Sequence, residues 1–223
     1  MLSKKTRITE TKFWSVLTLA GNAIGLNLLF ILSCLPIVTI GPALCGLYSG
    51  VRFMIRKDGW FRGFREGFCT HWLRAGIIGV LAVAFQAYAI INFNDALNFY
   101  LDMGIGMELV ITHGIMALIP VLIVASLWPL NIYIPGDTAE WLRRTVSMVF
   151  QHPGPVLLAG CLFIAPVILI LYFTTIAWYL LIVLVGGWFV LSAFVATMFY
   201  KDALIELLTE YRKEHPEEDA ENE

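Results

Sequence analysis

Six long apolar stretches alternate with four short basic segments, and that alternation leaves few folds open. The basic segments hold all 15 Lys and Arg residues. They are Lys4, Lys5, Arg7 and Lys12; Arg52, Arg56, Lys57, Arg62, Arg65 and Arg74; Arg143 and Arg144; and Lys201, Arg212 and Lys213. With every basic segment on the cytoplasmic side, each apolar stretch becomes a crossing, and the far surface carries only Asp95, Asp102 and Glu108. Such asymmetry is the positive-inside pattern of membrane proteins. It predicts an all-α membrane protein, a six-helix transmembrane bundle with cytoplasmic N- and C-termini in a cell membrane. The spans fall at about 13–35, 37–55, 75–93, 107–133, 154–173 and 177–199, each near the roughly 20 residues a crossing helix needs. A five-span alternative, with residues 36–56 re-entrant, moves Arg56, Lys57, Arg62, Arg65 and Arg74 to the outer face and breaks the pattern.

At 223 residues and 59% hydrophobic, the chain leaves no room for a separate soluble domain: residues 1–200 form one membrane domain and 201–223 an acidic tail. Crowded with Glu and Asp after Pro216, that tail is expected to be solvated. The first apolar stretch, Phe13 to Leu35, is too long for a signal-peptide core and has no small-residue cleavage site after it. Cys34, Cys45, Cys69 and Cys161 lack metal or redox spacing and read as apolar filling. Basic residues hug membrane boundaries and form no stripe, which argues against nucleic acid as a partner. The partners expected are the lipid bilayer and either a transporter subunit or a second copy of the chain.

The first two spans carry the most pattern. Gly21 and Gly25 lie four apart on one, Gly46 and Gly50 on the next, and small residues at that spacing let helix backbones approach closely. With a turn near residue 38, the two grooves are expected to face one another. Asn22 shares the Gly25 face. Between the spans, Pro36, Thr39, Gly41 and Pro42 mark an apolar yet irregular turn, with two backbone donors removed by proline. Irregular backbone at membrane depth persists only inside protein or beside a water-filled cavity, so the turn is a packed plug or a pocket wall.

Trp60, Phe61, Phe64, Phe68 and Trp72 cover one face of the next segment at helical spacing, opposite Arg62 and Glu66. That is the pattern of an interfacial helix, resting on lipid or docking a partner. Residues 137–153 and the start of the tail repeat the theme, so short amphipathic helices are expected in the cytoplasmic loops. Asn22, Asn27 and Gln86 are the deepest polar side chains and the candidate lining of a solute path. No catalytic constellation, phosphate loop or metal-binding helix motif is present, so neither an enzyme nor a cofactor is expected.

The run Leu26-Asn27-Leu28-Leu29-Phe30 followed by Leu35-Pro36-Ile37-Val38-Thr39-Ile40-Gly41-Pro42 resembles the YesL-like family of bacterial membrane proteins, a domain of unknown function. Tyr48, the Phe-rich loop from Trp60 to Ala75, Trp128-Pro129-Leu130 and Gln151-His152-Pro153 extend the resemblance along nearly the whole chain. It implies a multi-span membrane protein associated with carbohydrate uptake, and it carries over no ligand or reaction. Two functions remain open. An accessory scaffold predicts that Asn27 and Gln86 hydrogen-bond within a closed bundle. A small permease for a neutral solute predicts that they face a cavity.

Overall fold

The computed structural model describes residues 3–70, 72–133, 136–172 and 184–214. The far ends of the fifth and sixth predicted spans and the acidic tail from 215 onward lie outside the described residues. What is described is helical throughout: α1 (Ser3–Ser33), a 3-10 turn (Ile37–Thr39), α2 (Ile40–Ile55), α3 (Trp60–Thr70), α4 (Trp72–Met103), α5 (Met107–Tyr133), α6 (Thr138–Gln151), α7 (Pro153–Tyr172), a π-helical turn (Leu184–Trp188), α8 (Phe189–Phe199) and α9 (Lys201–Glu214). Among the described residues four stretches, Trp14–Ser33, Ile37–Ile55, Trp72–Met103 and Met107–Tyr133, are long and apolar enough to cross a membrane. The number rises to six if two bent pairs each count as one span. In those pairs α6 meets α7 at 104° and α8 meets α9 at 54°.

The α6–α7 bend has a local cause. Asp137 caps α6 through its carboxylate, Glu140 closes the box, and Arg144 pairs with Glu140 at 3.2 Å. Pro153 then supplies no N–H to continue α6, and the chain restarts in a new direction as α7. As the amphipathic pattern predicts, α3, α6 and α9 are short helices at the ends of longer ones. Trp141, Thr145 and Met148 turn inward on α6, while Leu142, Val146 and Phe150 stay exposed.

α2 is the central element, buried from Gly41 to Val51. Its partners differ from the expected groove-on-groove pairing. A side chain at Gly50 would meet Leu26, but one at Gly25 would meet the Trp60 ring and one at Gly46 the Phe64 ring. Gly21 has nothing within 4 Å. Three of the four glycines are therefore sockets for side chains, and two of those receive aromatic rings from α3. In consequence the aromatic face of α3 is largely consumed inside the protein: Phe64 is buried, Phe68 stacks on it, and Trp60 donates to Asn22 Oδ1 at 3.1 Å. Phe61 and Trp72 remain exposed at its margins.

The turn between α1 and α2 is also placed differently. Six stacked crossings set residues 38 and 75 on opposite surfaces, yet Gly41 abuts the Ala75 carbonyl and Gly76 lies against Val38. The apex of the first hairpin thus sits beside the first two turns of α4. Small residues make this possible, since a methyl at Gly79 would come within 2.7 Å of the Gly41 nitrogen. Thr39 closes the turn with its hydroxyl on the Ser33 and Pro36 carbonyls. Pro36 itself is exposed, whereas Thr39, Gly41 and Pro42 are buried. The second basic segment meets the chain that leads into the third: Arg52 donates to the Ile132 carbonyl and lies over Tyr133, and Arg74 donates to the Gly136 carbonyl and lies over Trp141.

Candidate functional site

A cavity of about 200 Å³ opens among α2, α4, α5 and α7. Glycine and alanine make the space: Gly79 and Ala82 on α4, Ala125 on α5 and Gly160 on α7 contribute wall but little bulk. The remaining wall is mostly branched aliphatic and aromatic carbon. Pro120 interrupts the α5 backbone at this level and removes one helix N–H. From the junction of α8 and α9, Tyr200 donates its hydroxyl to the Ala125 carbonyl at 3.3 Å behind the same wall.

Three polar atoms are buried behind that apolar lining. Tyr48 Oη, Gln86 Oε1 and Trp128 Nε1 are shielded from solvent, have no hydrogen-bond partner among the described residues, and belong to side chains lining this one cavity. Leaving a buried polar group unpaired costs about 1–3 kcal/mol, and a bilayer interior supplies no water to relieve it. The Gln86 amide orientation is fixed from its other end: Nε2 donates to the Ala117 carbonyl at 3.3 Å, so the oxygen must point away from it. Trp128 reaches its place because Gly41 lacks a side chain, its ring lying 3.2 Å from where a Gly41 methyl would be. The hairpin apex also contributes a wall, through Ile40.

Of the predicted polar lining, only Gln86 comes to the cavity. Asn22 is taken up by Trp60. Asn27, fully buried, bridges a broken helix. Gly187 has φ 147°, a conformation that glycine alone adopts freely, and the chain cannot run as one helix through it. Asn27 Oδ1 accepts from the Phe189 and Val190 N–H groups at 3.1 and 3.3 Å, and its Nδ2 donates to the Val185 carbonyl at 2.9 Å. It therefore caps α8 from a distant helix and satisfies a carbonyl freed by the break. Tyr48 and Trp128 figure in the sequence only as landmarks of a resemblance. What would have singled them out is an aromatic with a polar tip among small residues deep in an apolar helix. Among the described residues no three His, Cys, Asp or Glu side chains gather as a metal site would require.

This fold and cavity define a helical protein of membrane-spanning composition with an internal, mainly apolar cavity. Residues 23–93 match a family model described as a protein of unknown function, DUF624. The match takes in the last third of α1, the Pro36–Pro42 turn, α2, α3 and much of α4, and stops short of Trp128. It is thus narrower than the whole-chain resemblance read from the motifs. No curated protein and no solved structure matches the chain.

Proposed function

We propose that the chain is a non-catalytic membrane protein that binds a small, uncharged, mainly apolar molecule in the α2–α4–α5–α7 cavity. The observation that carries this is an apolar space of about 200 Å³ kept open by small residues, with the side chains of Tyr48, Gln86 and Trp128 in its wall. Binding sites of this kind are mainly apolar, with a few placed polar groups that fix orientation. Nothing in the lining selects a sugar, so a carbohydrate role has support only in the family resemblance. The test is purification from native membranes in mild detergent, followed by mass spectrometry of an organic extract. Wild-type protein should carry one uncharged compound at near-stoichiometric level. Ala82→Phe, which fills the cavity, should deplete it at least about tenfold while melting no earlier, since filled cavities tend to stabilise. Indistinguishable extracts would sink the proposal.

A second reading, an accessory scaffold for a transporter subunit, is favoured by Asn22 and Asn27, both spent on contacts inside the bundle. The same preparation tests it after light cross-linking: a stoichiometric membrane-protein partner supports it, and a chain alone or with copies of itself counts against it. Both readings place the chain in a bacterial plasma membrane with cytoplasmic termini, following the charge asymmetry. In a cysteine-free background, single cysteines at Asp95 or Asp102 should label from outside the cell, and one at Arg65 only from inside. External labelling at Arg65 would overturn the six-span assignment.

A further inference from the structure

An open groove of about 680 Å³ lies where the end of α3, the first two turns of α4 and the start of α6 meet. Its wall changes character along α4. Trp72 and Leu73 begin the apolar stretch Trp72–Met103, and Ile77 and Ile78 lie roughly 4–6 Å further along the helix than Arg74. Leu73 and Ile77 are 71% and 55% exposed, so this apolar wall is open. Thr70, Arg74 and Thr138 supply the polar end. Arg74 is the only charged residue between positions 72 and 91, which sets it at the boundary where the span leaves the membrane. An apolar wall rising from a polar end at that boundary fits one lipid molecule, with its chains along α4 and its headgroup at Arg74.

The charges select among headgroups. The Arg74 guanidinium is held from two sides: Nη1 donates to the Gly136 carbonyl at 3.0 Å, and the group lies 4.9 Å over the Trp141 ring. Its side chain is still 34% exposed, and only one of its five N–H groups is spent on that carbonyl. Nη2 stands 3.7 Å from Asp137 Oδ1, too far for a hydrogen bond, and the Asp137 side chain is 77% exposed. Asp137 also caps α6 by accepting from the Thr138 N–H, but a carboxylate offers about four acceptor sites. Nearby, Glu140 and Arg144 cancel one another in a 3.2 Å pair. A cation and an anion thus stand side by side without closing on each other. We infer that the groove takes one zwitterionic aminophospholipid, its phosphate accepting from Arg74 and its primary ammonium donating to Asp137, an assignment independent of the α2–α4–α5–α7 cavity. An anionic lipid brings no ammonium to Asp137, and a choline headgroup has no N–H to donate to it.

The experiment presents the delipidated full chain in mild detergent with phosphatidylethanolamine, phosphatidylcholine and phosphatidylglycerol of identical acyl chains, and counts bound lipid by native mass spectrometry. One phosphatidylethanolamine should bind roughly 2- to 5-fold more tightly than either of the others, the effect of one exposed ion pair. Asp137→Asn keeps a helix cap of equal rank and should erase the preference over phosphatidylcholine. Arg74→Gln should weaken all three lipids. Glycerophosphoethanolamine, the same headgroup without chains, should fail to displace the lipid at equal concentration. Equal binding of the three lipids by the unmutated protein would mean a nonspecific lipid shell and overturn the proposal. A preference for phosphatidylglycerol would overturn it in favour of an anionic-lipid site, and displacement by glycerophosphoethanolamine in favour of a soluble phosphoester. The three-lipid comparison needs no substitution, so a variant that misfolds does not remove the test.

Discussion

Asn27→Leu should lower the thermal midpoint of the detergent-solubilised protein by roughly 6–12 °C. One amide holds three backbone groups, the Phe189 and Val190 N–H and the Val185 carbonyl, on the two sides of Gly187. Leucine matches the shape but leaves all three without that partner. At about 1–3 kcal/mol per buried orphan, the loss reaches about 3 kcal/mol or more, and a chain of this length shifts by about 2–4 °C per kcal/mol. Asn22→Leu is the control. It forfeits one hydrogen bond, to Trp60, and should cost about 1 kcal/mol. Equal small shifts for the two variants would mean that the splint across the helix break contributes little.

Gly41→Ala should be the most damaging single methyl in the first hairpin. The added carbon would overlap the carbonyl oxygen of Ala75 and crowd the Trp128 ring. The oxygen belongs to the α4 backbone, so no rotamer change relieves the clash, and the hairpin apex must move away from α4. Overpacking of this kind costs about 1–3 kcal/mol and sometimes more. Because Ile40 and Trp128 both line the cavity, ligand retention should fall along with stability. Gly21→Ala adds the same methyl where nothing lies within 4 Å. It replaces a poor helix former by the best one, so its melting point should hold or rise slightly. A Gly41→Ala protein as stable as Gly21→Ala would refute the close approach of the two backbones.

These contrasts also show what could be read from the residues and what could not. Helical spacing and charge were enough to locate α3, α6 and α9 and the four long apolar stretches, because both patterns are local. The glycine spacing announced close approach, but not which neighbour would approach. Gly25 and Gly46 receive rings from α3, since an aromatic side chain fills a glycine gap as well as another helix backbone does. Nor did the sequence show that the hairpin apex would meet Ala75, Gly76 and Gly79. Ala75 and Gly79 are themselves small residues four apart, the spacing already noted in α1 and α2, and that signal was present but unpaired. Gln86 was legible as a lone amide in an apolar helix. Tyr48 and Trp128 were not, because whether an aromatic's polar tip finds a partner depends on helices far away in the chain.

The Asn27 bridge also sets a timetable for synthesis. Its partner Val190 lies 163 residues downstream, so at ~5–20 residues per second the ribosome needs roughly 8–30 s to deliver it. Throughout that interval the nascent first helix carries an uncapped amide within its apolar length. An insertase or chaperone that shields such amides would meet this chain early, and its release would await α8.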